Sequence, residues 1–156
     1  MSTLQRIVGA FLRPYTRRRA KNLPLSAAIE RLEESKQVVA KRFADAKDTP
    51  ANREAMNHVT GIERWGQSRL RVAMGAPLQI DSYRGYRLPE DASIEDLRLA
   101  FRETRNGTLA LARELQDQDV DLMTTVRHND LGELTVVEWL AYLDDHGMRE
   151  SLRIRG

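Results

Sequence analysis

Four stretches of this 156-residue chain repeat apolar residues every three or four positions, and helix-start or helix-stop signals bracket them. The cleanest is Leu97, Phe101, Thr104, Thr108, Leu111 and Leu115, a seven-residue repeat opened by Ser93 with Asp96 and expected to end near residues 116–118. Upstream, Leu25, Ile29, Leu32, Val39 and Phe43 predict a helix over about residues 25–46, with Ser26 as its cap. Thr49 followed by Pro50 starts the next, over about residues 51–74, with Ala55, Val59, Ile62, Gly66, Leu70 and Ala73 on its apolar stripe. Met74-Gly75-Ala76-Pro77 stops it. Such a pattern leaves one economical solution, helices that bury their stripes against one another.

The last stretch, from Leu134 to Ile154, carries the chemistry. Thr135 and Glu138 form a capping box, in which the hydroxyl and the carboxylate each satisfy the other residue's backbone N–H. Leu134 and Trp139 supply the accompanying hydrophobic staple. Val136, Leu140, Leu143 and Gly147 then define a buried face, bordered by His146 and Glu150. Residues four apart on a helix lie one turn from each other, with Cβ atoms roughly 6 Å apart. An imidazole and a carboxylate at that spacing suit a divalent metal. They equally suit a fraying last turn, where a protonated histidine and an arginine sit well against the helix dipole.

Between the second and third helices, residues 76–92 have no helical period and read as a long surface crossover. Tyr83, Arg84, Tyr86 and Arg87 either line a substrate mouth there or cover the edge of the core. Residues 119–133 hold a short apolar run and a turn at Asn129-Asp130 and Gly132, where a small hairpin is expected and His128 is expected in solvent. Trp65 and Trp139 read as core residues without chemistry.

The chain has no cysteine, which excludes disulfides, thiolate nucleophiles and cysteine-held zinc. No apolar run approaches the ~20 residues that span a bilayer. Basic residues follow the apolar ones at the start, the reverse of a secretory signal, so a cytoplasmic location is expected. The net charge of +2 is uneven: residues 1–24 hold six basic residues and no acid, leaving residues 25–156 mildly acidic. The division expected is therefore a basic N-terminal helix or arm, 1–24, ahead of a helical domain, 25–156. The basic cluster at 13–21 could bind nucleic acid or an anionic surface. The plainer reading, preferred here, is a packed helix followed by a solvated linker.

Three segments taken together, NHVTGIERW on the second helix, the turn and cap VRHNDLGELTVVEWL, and LDDHGMRESLRI, resemble the DinB-like superfamily, which includes YfiT-type metal-dependent hydrolases and thiol S-transferases. The resemblance covers most of residues 25–154. It implies an all-α, up-down-down-up four-helix bundle with one long crossover, often a homodimer. It also implies a divalent metal, zinc or nickel above all, with iron or manganese as alternatives, and a small-molecule substrate. Carried onto this chain, the ligands fall on His58, His146 and Glu150; the last stands where a histidine is expected. On the resemblance, Glu63 is either an orienter of His58 or a surface acid. The competing expectation is a metal-free, non-catalytic bundle that binds a small ligand or dimerises.

Overall fold

The computed structural model describes residues 22–156 together with Pro14, Arg18 and Ala20. Most of the basic segment expected at 1–24 thus lies outside the described residues.

The described chain is mostly helical, with one small two-stranded sheet. Helix α1 spans Leu25–Asp45, α2 Pro50–Ala73, α3 Ile94–Asp117 and α4 Val136–Glu150. Short 3-10 turns occupy Tyr83–Tyr86 and Ser151–Arg153, and strands β1, Thr125–His128, and β2, Gly132–Thr135, form the expected hairpin. In that hairpin Val126 pairs with Leu134, and both are buried.

Three of the four helix starts follow the sequence signals. Thr49 accepts from the N–H of Asn52 at 3.2 Å, and Ser93/Asp96 and Thr135/Glu138 close complete capping boxes. The start of α1 does not. Pro24, extended at φ −62° and ψ 150°, precedes the first helical residue and no side chain caps it. Leu25 must sit inside the first turn to be buried, so Ser26 falls within the helix instead of ahead of it. At the other end, α4 gives way after Glu150 to a 3-10 turn, so the stretch to Ile154 is not one continuous helix.

Both α1 and α2 pack against α3 and α4. Helix α2 is enclosed on several sides: besides α3 and α4 it carries the first 3-10 turn and β1, and thirteen of its residues are buried. Two glycines let neighbours approach it. A Cβ on Gly66 would stand 2.5 Å from Leu143 of α4, and one on Gly61 would stand 2.7 Å from Cγ of Arg87 in the crossover. One apolar cluster gathers Trp65, Leu70, Trp139, Leu140 and Leu143, the other Val39, Phe43, Met56, Val59 and Phe101. Each of these large side chains, withdrawn from water, contributes about 1.5–3 kcal/mol before conformational entropy is charged against it.

Candidate functional site

His58 and His146 meet between α2 and α4. Their Nε2 atoms are 3.2 Å apart, although the residues are 88 positions apart in sequence. His146 is buried and His58 half-buried, its ring met edge-on by Tyr83 of the crossover at 5.0 Å between centroids. Burial lowers the pKa of His58, with Glu150 and Glu54 opposing and Arg87 and Arg153 assisting. Burial pushes His146 well below the usual imidazole range, helped by the neighbouring charge of His58. Both rings are therefore neutral at pH 7, the form in which an imidazole nitrogen offers a lone pair.

Two neutral imidazoles at this distance have two uses. One Nε2–H can donate to the other Nε2, or both lone pairs can face one cation. Zinc–nitrogen bonds of about 2.0–2.1 Å at a tetrahedral angle place two ligand nitrogens about 3.3 Å apart. The observed separation suits that arrangement as well as it suits a hydrogen bond.

Glu150 is not turned toward the pair. Its carboxylate accepts from Arg153 at 2.9 Å and from Arg149 Nε at 3.3 Å, and its side chain is 17% exposed. Among the described residues no three His, Asp or Glu side chains are gathered into a group able to hold a metal. The structure thus brings together two of the three residues singled out in the sequence. It leaves the third within electrostatic reach of His58 but engaged elsewhere. The donors fit a divalent ion in chemistry, two neutral nitrogens and an adjacent carboxylate, provided that Glu150 leaves its arginines.

Tyr142 lies one turn from His146 on the side away from Glu150, its ring 5.7 Å from the imidazole. Burial raises its phenol pKa far enough to keep it protonated, a neutral donor beside the pair. Of the crossover residues, Tyr83 reaches His58, and Arg87 pairs with Glu54, one turn before His58 on α2. Arg84 is in solvent, and Tyr86 donates to Asp81 at 2.6 Å. Beside Glu54 and Arg87 opens a cleft of about 510 Å³, lined also by Arg53, Asn57 and Leu97.

Two expectations are overturned. His128 is not solvated: it ends β1, only 4% exposed, its ring 4.9 Å from Trp65, 5.1 Å from Trp139 and 4.7 Å from Tyr142. Its Nδ1 accepts the backbone N–H groups of Asp130 and Leu131, both at 3.1 Å, which fixes the hairpin turn and puts the ring proton on Nε2. Burial, then the charge of Arg69, pushes its pKa down to about 3. A histidine inside a polar turn can be drawn into the core when its ring organises that turn, and no local signal distinguishes the two cases.

Glu63 is neither a surface acid nor an orienter of His58. It is 2% exposed and takes a two-point contact from Arg105 of α3, Nε at 2.6 Å and Nη2 at 2.9 Å. Thr108 donates to it at 2.9 Å, and Arg105 continues to the carbonyl of Leu32 and the hydroxyl of Ser35 on α1. A signal was present: Thr104 and Thr108 occupy core positions of the α3 repeat, and buried hydroxyls need polar partners. A second unanticipated cluster surrounds Asp81, which accepts from Trp65 Nε1 at 3.0 Å, Arg69 at 2.8 Å and Tyr86. Burial alone would raise the pKa of Asp81, but the hydrogen bonds from Tyr86, Arg69 and Trp65 outweigh it and hold the carboxyl below its ordinary value. This cluster pins the crossover to α2, and with it Tyr83 to His58.

No protein-family model, curated protein or solved structure matches the chain. No helix of the described residues is long and apolar enough to cross a membrane.

Proposed function

We propose that this chain is a metal-dependent enzyme of the DinB-like class, a hydrolase or thiol-dependent S-transferase acting on a small molecule. The metal site in this reading is His58, His146 and Glu150, and zinc or nickel is the ion expected. The observation that carries it is the approach of two neutral imidazoles, from helices far apart in sequence, to a separation that one cation would impose.

The arrangement of helices supports the same class. Contacts of α2 advance together along both segments, Arg53 to Ala92 just ahead of α3, then Arg64 to Thr104 and Gln67 to Thr108 on it. Those between α2 and α4 run in opposite senses, His58 to His146 and Trp65 to Trp139. In the proposed up-down-down-up bundle, α2 and α3 are the parallel pair and residues 76–92 the crossover between them. The resemblance carries with it a homodimer.

A bound divalent ion would supply an acidified water, or would hold a thiol as thiolate, for attack on the substrate. The chain's own residues would do the rest. His58 and His146, kept neutral by burial, would present nitrogen to the ion. Tyr142 would remain a neutral hydrogen-bond donor at the inner wall. Tyr83 would limit water access over His58.

The second reading is the metal-free scaffold, favoured by the two arginines on Glu150 and by the ease of a direct imidazole–imidazole hydrogen bond. Elemental analysis of untagged protein, after incubation with zinc or nickel and removal of excess, separates the two. About one ion per chain, lost in His58→Ala, is the expected result. Metal-free protein whose melting temperature no divalent ion shifts would leave the scaffold.

A further inference from the structure

Helices α2 and α4 carry mirrored spacings: Glu54 lies four residues before His58, and Glu150 four residues after His146. In antiparallel helices, one turn backward on the first and one turn forward on the second lead toward the same end of the molecule. That α2 and α4 are antiparallel follows from their contacts, His58 with His146, Gly66 beside Leu143, Trp65 against Trp139. The shared end is marked independently. Asn52, at the start of α2, donates to the carbonyl of Arg155 at 2.7 Å and accepts from its N–H at 3.0 Å, just beyond the end of α4. Both carboxylates therefore lie one turn from the imidazole pair, on its same side.

Their electrostatic setting repeats the symmetry. Each carboxylate is held by an arginine from outside its helix, Glu54 by Arg87 and Glu150 by Arg153 of the terminal turn. The Glu54 side chain is 64% exposed, so little packing resists its rotation. Two side chains four apart on one helix face are able to bind one ion, as the paired histidines of H-E-x-x-H helices do.

We infer that Glu54 is a fourth protein donor, so that the metal site is built from Glu54, His58, His146 and Glu150. This rests on the metal-dependent reading above and extends it. Two imidazoles and two carboxylates would neutralise a divalent ion, and oxygen donors broaden the choice from zinc toward manganese and iron. The arginines would act as holders that keep both carboxylates in place until an ion displaces them.

Calorimetric titration of the untagged, chelator-treated full chain with zinc and with manganese tests this, with melting temperature as a control for folding. Wild type is expected to bind one ion per chain, and Glu54→Gln to bind it at least about tenfold more weakly, the lower end of what losing even an outer partner of a ligand costs. Arg87→Gln, which frees Glu54 without removing it, is expected to bind as tightly as wild type or more so. Wild-type affinity in Glu54→Gln would overturn the fourth donor while leaving the three-residue site standing. So would equal weakening in Arg87→Gln, since Glu54 would then act only through its ion pair. Failure of wild type itself to bind either ion would remove the metal reading and this extension together.

Discussion

His128 shows how much one ring contributes once it leaves solvent. Folded, it titrates near 3; unfolded, at its ordinary 6.5. Above pH 6.5 neither state holds the proton, and the contribution to stability is complete. As pH falls from 6.5 toward 3, the unfolded chain takes up a proton that the folded chain refuses, so stability is lost at about 1.4 kcal/mol per pH unit. His146, lowered by burial as well, adds loss in the same direction. His128→Asn keeps an acceptor for the N–H groups of Asp130 and Leu131 but cannot titrate. Urea unfolding at pH 7 and pH 5 is expected to show a smaller drop for this variant than for wild type; equal drops would mean that the ring is not buried as described. Glu63 belongs to the same scale. Replacing it with Ala leaves the Arg105 guanidinium buried without its carboxylate, and a loss of about 3–5 kcal/mol is expected by denaturant unfolding. A loss below about 1 kcal/mol would show that water reaches the pair.

At the scale of elements, three of the four caps and the main apolar stripes were legible, and the further faces that α2 buries were not. Thr135 and Glu138 announce the start of α4 because the capping box is local chemistry, complete within four residues. Thr135→Ala is expected to cost about 1 kcal/mol, with helix α4 still formed because tertiary packing holds it. The spacing of Gly66 marked it only as part of an apolar stripe. Its actual role is to let α2 approach Leu143, and Gly66→Ala forces a methyl group into a gap that does not exist. Overpacking of this kind costs about 1–3 kcal/mol. The same change pushes α2 from α4 and His58 from His146, so under the proposed metal-dependent function zinc affinity is expected to fall with stability. Unchanged thermal stability in Gly66→Ala would mean that the helices stand farther apart. Glu63 departs from both sequence expectations for a reason of this scale: α2 is enclosed on several sides and buries faces that a surface helix would leave wet.

For the whole molecule, the central expectation is linkage between ion and fold. A ligand bound by the folded chain alone stabilises it by about 2.7 kcal/mol at a concentration one hundred times its dissociation constant. For a chain of this size that is worth about 5–10 °C in melting temperature. Zinc at such an excess is expected to raise the wild-type midpoint by that amount, reversibly with chelator, and to leave His58→Ala unmoved. An equal rise in both would indicate binding elsewhere on the surface.

The order of elements was set by the sequence alone, because helix periodicity, capping pairs and breakers are interactions over a few residues and survive without knowledge of the rest of the chain. So was the choice of His58 and His146 as the residues to watch, through a pattern spread over three segments. Tertiary structure alone decided that their Nε2 atoms approach to 3.2 Å, that Glu150 and Glu54 answer to arginines, that Glu63 meets Arg105, and that His128 is buried. Each of these depends on which face of one helix meets which face of another. That choice is made by the sum of many weak packing contacts, and no single short stretch of the chain contains it.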